Sequence, residues 1–185
     1  MYAPLYVQTN YSLLSSLIKV DDLLEFCLQK KITSLAITDS NLFGMMEFYK
    51  KCKEKNIHPV IGLEVSLEND IVLLYAKNYL GYQSLIKLST IQDERTVTMD
   101  DLKQHKEEVL AIVPLEYLET FKQLEGFIEE VYLGYKNKQE EKEARLETKQ
   151  VVFLRKAQYL KKEQETYLKY LFMIRDGKTI ADGIH

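Results

Sequence analysis

Leu35 to Val65 reads LAITDSNLFGMMEFYKKCKEKNIHPVIGLEV, and the order of its parts decides the fold class. The short β-like run Ser34 to Thr38 is followed at once by Asp39, Ser40 and Asn41, residue types that make turns and helix N-caps. A helix then runs through Phe43, Met46, Phe48, Tyr49 and Cys52 to about Lys55. Pro59 to Ser66 reads as the next strand. Strand, helix, strand is the unit of a sheet covered by helices.

The same alternation extends both ways. Upstream, a strand is predicted at Leu5 to Thr9. A helix follows with the apolar stripe Val20, Leu23, Leu24, Cys27 and Leu28, Asp21 and Asp22 in its first turn and lysines at its end, as the helix dipole favours. Downstream, Glu68-Asn69-Asp70 is a turn leading into a strand at Ile71 to Ala76. Helices are predicted at Tyr82 to Thr90, Asp100 to His105, Glu116 to Leu124, 136–149 and Lys162 to Arg175, the last stopped by Gly177. Strands are predicted at Val109 to Val113, Phe127 to Leu133 and Val151 to Leu154. The pattern is α/β, with a parallel sheet in a barrel or doubly wound arrangement. No repeat or linker interrupts it, so residues 1–185 read as one domain. The tail from Asp176 to His185 closes no element, as expected of a piece cut from something longer.

Composition narrows the function classes. A chain of 185 residues buries roughly 70% of its unfolded surface and needs no disulfide or structural metal to fold. Its 25 basic and 28 acidic side chains leave a net charge of -3, which argues against a domain that holds DNA by phosphate neutralisation alone. No apolar run approaches the ~20 residues of a membrane helix, and the first residues lack the basic and apolar regions of a signal peptide. Cys27 and Cys52 lie in apolar stripes, as reduced core thiols of a cytoplasmic protein do.

The common catalytic signatures are absent: no P-loop, GxGxxG, GxSxG or CxxC. His58, His105 and His185 have no metal-ligand spacing, and His58 reads as a surface or edge residue. Glu140, Glu141 and Glu143 read as a solvated face, and the lysines of KKCKEK (Lys50 to Lys55) as a solvated helix end. Two carboxylates stand apart. Asp39 follows a strand end, where it either caps the next helix or serves a site. Glu64 lies within VIGLEV, where it is an outward strand residue, a satisfied buried one, or a metal ligand.

Four stretches together carry a family resemblance: NYSLL at Asn10 to Leu14, the quoted stretch at Leu35 to Val65, LLYAKNYLGYQSLIKLST at Leu73 to Thr90, and YLKKEQETYLKYLFMIRDGKTI at Tyr159 to Ile180. They resemble the N-terminal PHP (polymerase and histidinol phosphatase) domain. The narrower resemblance is to that domain in the DnaE-type α subunits of DNA polymerase III from Gram-positive bacteria. It implies a distorted (β/α)7 barrel in a single domain, with a divalent-metal cluster at the strand ends in active members. That cluster is held by histidines, aspartates, a glutamate and a cysteine. The family's opening HxH falls here on Tyr6 and Gln8, the aspartate after it on Ser15, the histidine after ITD on Ser40, and the late aspartate and histidine on Lys156 and Gln158. Only the family glutamate remains, as Glu64. The middle histidine and cysteine fall where this chain is shorter. Lys156 sets a cation where an anion belongs. The expectation is a dismantled site with no catalytic residue and no metal, Glu64 being balanced by Lys156.

On this resemblance the chain is a degenerate PHP domain with a structural and interaction role, part of a longer nucleotidyltransferase of DNA replication. The parent is a cytoplasmic DNA-directed DNA polymerase with magnesium in its palm, and no cofactor is expected in these residues. Its partners are the remaining domains of the same polymerase chain, with DNA and replisome subunits reached through the parent, and no membrane. The alternative is a metal-dependent phosphoesterase or proofreading 3'-5' exonuclease of the PHP superfamily.

Overall fold

Thr98 and Asp101 make a reciprocal capping box, and Asn78 and Asn137 each accept two backbone N–H bonds, so three helices begin on side chains suited to the task. These are local decisions of the sequence, and they recur along the chain. The computed structural model describes residues 3–178. The expectation for the tail lies outside the described residues from position 179 onward.

The described residues fall into two compact units. The first holds the N-terminal segment, α1 (Val20–Gln29), β1 (Ser34–Ile37), α2 (Met45–Glu54) and the segment from Lys156 through α7 (Glu165–Arg175). Residues 5–9 run extended through one bridge, Val7 to Ala157, rather than as a full strand. The Pro4 and Val7 carbonyls accept from Ala36 and Thr38 N–H on one side, and Gln8 N–H donates to Ala157 on the other. Helices α1 and α2 bury Val20, Leu23, Leu24 and Cys27 and Met45, Phe48 and Cys52, stripes of period 3.6. Leu28, expected in the first stripe, is 47% exposed, because the chain turns away directly after it. Gly177, at φ +65, ends α7 with the Lys178 N–H on the Met173 carbonyl, a stop that L side chains make poorly.

The second unit carries most of the sheet. Strands β2 (His58–Leu67), β3 (Asp70–Ala76), β4 (Val109–Pro114), β5 (Val131–Tyr135) and β6 (Val151–Phe153) are neighbours in chain order. Between them lie α3 (Tyr79–Glu94), α4 (Met99–Gln104), α5 (Leu118–Glu125) and α6 (Lys138–Glu147). The sheet is mixed, not parallel throughout as the alternation of strand and helix implies. β2–β3 and β3–β4 are antiparallel, whereas β4–β5 and β5–β6 are parallel. A two-residue turn at Glu68-Asn69 can only reverse the chain, whereas α5 and α6 provide the long crossovers that parallel pairs need. β5 also starts later than Phe127, because Phe127 and Ile128 N–H bond back to the Leu124 carbonyl and finish α5. One face of this sheet (Leu63, Val65, Leu67, Val72, Leu74, Ala111, Val113, Val131 and Leu133) packs on Leu85, Leu88, Phe121 and Leu124 of the helices. Successive side chains of a strand point to opposite faces, so every second residue falls on this one.

Candidate functional site

Five of the positions singled out in the sequence belong to the first unit: Tyr6, Gln8, Ser15, Lys156 and Gln158. The backbone bridge at Val7 and Ala157 sets the two segments side by side, so the residues flanking it meet. The Gln158 side-chain amide donates to the Gln8 Oε1 at 3.3 Å and to the Ser15 carbonyl at 2.7 Å. Gln8 is 1% exposed. Beside them the Ser16 hydroxyl lies 2.7 Å from the Gln8 carbonyl and 3.0 Å from the Gln158 carbonyl. The Lys156 ammonium stands 5.1 Å from the centroid of the Tyr6 ring, a cation–π contact. Ser15 contributes its backbone carbonyl here, and its hydroxyl turns to Leu13.

Asp39 completes this unit's polar interior. It does not cap α2, whose N-cap is Gly44 with no side-chain bond. Its carboxylate is 1% exposed and accepts from Thr9 N–H at 2.7 Å, the Thr9 hydroxyl at 2.6 Å and the Ser12 hydroxyl at 2.7 Å. It therefore ties the loop after the first extended segment to the end of β1. A second chain of contacts links that loop to α2. The Tyr11 ring lies where a Cβ on Gly44 would come within 2.2 Å, so only glycine admits it. The Tyr11 hydroxyl donates to Glu47 at 2.6 Å, Lys51 donates to Glu47 at 2.6 Å, and Lys51 reaches Asp21 of α1 at 2.8 Å. The hydrogen bond to Glu47 raises the Tyr11 pKa, the Lys51 ammonium lowers that of Glu47, and Asp21, with Glu47, raises that of Lys51. Burial pushes Cys27 up to about 11 and Cys52 up to about 12, so both thiols stay protonated and inert near neutral pH.

Ser40 and Glu64 belong to the second unit. Gln92 of α3 joins them by their backbones: its side-chain NH2 donates to the Ser40 carbonyl at 2.8 Å and to the Glu64 carbonyl at 3.0 Å, while its oxygen accepts from Ser66 N–H at 2.7 Å. Sequence reasoning missed Gln92, Ser16, Thr9 and the Tyr11–Glu47 pair. The pairs Gln92–Ser40 and Tyr11–Glu47 are 52 and 36 residues apart in sequence, and no short motif joins them. His58 is exposed at the first position of β2, as expected, and His185 lies outside the described residues.

A cluster of divalent cations needs carboxylates, imidazoles or thiolates converging on one point. Among the described residues no three of these groups converge so. The side chains at the five singled-out positions of the first unit are an amide pair, a hydroxyl, a phenol ring and an ammonium, already engaged with one another or with backbone. No helix among the described residues is long and apolar enough to cross a membrane.

The model of the family described as "PHP domain" matches residues 4–163. A protein of Bacillus subtilis strain 168 named DNA polymerase III subunit alpha is 35% identical over 138 residues, covering 68% of this chain and 12% of that protein. Proteins of the same name from Halalkalibacterium halodurans and Ureaplasma parvum serovar 3 are 36% identical over 122 residues and 44% over 91, covering 60% and 49% of this chain. These matches take in 11% and 9% of those proteins, so the chain spans about a tenth of its curated relatives.

Proposed function

The chain belongs to the PHP domain family, and from that premise we propose that it serves as the N-terminal domain of a DNA polymerase III α subunit, acting by folding and docking rather than by metal chemistry. The observation that carries this reading is the Gln8–Gln158 amide pair with Lys156 beside it, standing where the family's ligands are expected. The residues present do not fit a divalent-metal cluster. Neutral amides bind such ions weakly, and an ammonium in the site repels them. The domain is the degenerate opening part of a DNA-directed DNA polymerase, whose template-directed synthesis, magnesium, DNA and replisome contacts belong to the rest of the polypeptide.

The test is metal analysis of the purified chain, with phosphatase and exonuclease assays in added manganese or zinc. The expected result is no stoichiometric metal and no hydrolysis. Tightly held metal with activity that a chelator removes would establish the phosphoesterase or proofreading alternative instead. In the polymerase that carries this sequence, Gln8→Ala and Ser40→Ala should leave primer extension nearly unchanged, whereas deletion of the domain should cost stability or activity.

A further inference from the structure

Helix α7 has apolar residues on two sides and packs one of them. Leu168 is its one buried residue, and the element it chiefly touches is the 3-10 turn at Lys162–Gln164 just ahead of it. Tyr167, Tyr170 and Ile174 are 63%, 37% and 66% exposed, and half-buried Leu171 lies among them. Their spacing, i, i+3, i+4 and i+7, puts the four on one stripe. A soluble surface helix keeps that face polar, whereas one that is apolar on both sides belongs between two layers. Contiguous exposed tyrosine and aliphatic surface is the usual composition of an interface core.

Two observations say what covers this stripe. The family match ends at residue 163, so α7 lies past the part that the family model describes. The relatives with this domain are also far longer than the match, which fills 9% to 12% of each.

We propose that Tyr167, Tyr170, Leu171 and Ile174 form the face on which the rest of a polymerase α polypeptide packs against this domain. The inference rests on the functional reading above and names its docking surface. Lys169 and Arg175, already paired with Glu165 and Asp176, form a polar rim beside it.

Amide hydrogen exchange in the 185-residue chain and in the full polypeptide that carries this sequence tests it. In the full polypeptide α7 should exchange about tenfold more slowly than in the 185-residue chain. The double substitution Tyr167→Glu with Ile174→Glu should remove that protection and leave α1 and α2 as they were. Equal exchange of α7 in both forms overturns the proposal. So does protection of the 185-residue chain that grows with its own concentration, which would make a second copy the occupant. Primer extension by the same polypeptide separates the two failures. Extension with an unprotected α7 refutes the docking face alone, and absence of polymerase activity refutes the reading beneath it.

Discussion

Asp39→Ala distinguishes a carboxylate that holds the fold from one kept for a ligand. Asp39 is 1% exposed and accepts from Thr9 N–H, the Thr9 hydroxyl and the Ser12 hydroxyl, all within 2.7 Å. Truncation removes the acceptor and leaves three donors where water does not reach. A buried donor left unmatched costs about 1–3 kcal/mol, with bonds to an ionised group toward the top of that range. The hydroxyls can rotate toward other acceptors but the Thr9 N–H is fixed, so the three losses do not simply add. The expected cost is about 3–4 kcal/mol. That is a large share of the roughly 5–15 kcal/mol that holds a domain together.

Asp39→Asn keeps the shape and one acceptor oxygen. Its NH2 then faces the Thr9 hydroxyl, which must turn to accept, and the cost falls to about 1–2 kcal/mol. Urea unfolding followed by circular dichroism measures both, read as midpoint shifts at constant slope. Equal losses for the two variants, or a loss below about 0.5 kcal/mol for Asp39→Ala, would refute the reasoning. A ligand role predicts something else again. Wild-type stability would then rise with added zinc or manganese, and Asp39→Asn would abolish the rise.

Three further outcomes are expected. The Arg95 guanidinium, with Thr98 N–H and hydroxyl, holds the Asp101 carboxyl far below the ordinary carboxylate range. A depressed folded value stabilises the fold at every pH above about 4 and is lost as pH falls through that folded value. Asp101→Asn should therefore cost about 1 kcal/mol at neutral pH, since Arg95 is 54% exposed and the α4 cap supplies most of the effect. The gap should close only in strong acid, and a gap independent of pH in unfolding titrations would count against it. Gly44→Ala drives a methyl into the Tyr11 ring and should cost about 1–3 kcal/mol, and in the Tyr11→Ala background much of that penalty should vanish. Gln92→Ala leaves two carbonyls and one N–H without their side-chain partner and should cost about 1–2 kcal/mol by thermal unfolding, against a near-zero change for exposed Gln139→Ala.

The elements legible in the sequence are those whose cause is local. The α1 and α2 stripes, the Gly177 stop and the Glu68-Asn69 turn are each written within a few residues. Sheet direction was not legible in the same way. The alternation of strand and helix suggested parallel pairing throughout, yet the turn that reverses β2 into β3 was already visible and outweighs the general pattern. Asp39 was half legible. Its residue type suits both an N-cap and a buried anchor, and the choice depends on Thr9 and Ser12, 30 and 27 residues away. Only packing brings them together.

The candidate site divides along the same line. Which residues stand at the singled-out positions is read directly from the sequence, and their chemistry alone argues against metal. What they do instead is a matter of partners. Gln8 is 1% exposed and so must satisfy a buried amide, and the group that meets it, Gln158, lies 150 positions later. The Ser16 hydroxyl meets the backbone carbonyls of both segments. A metal cluster joins distant strands by drawing anionic side chains to one cation, whereas neutral amides and hydroxyls join them by mutual hydrogen bonds. The second arrangement requires no ion and tolerates the nearby Lys156 charge, which is seated on the Tyr6 ring. On the function proposed above, the interior of the first unit coheres without a ligand. Adding a chelator to the purified chain should accordingly leave its unfolding midpoint in place, whereas a drop in that midpoint would reveal an ion that these side chains do not explain.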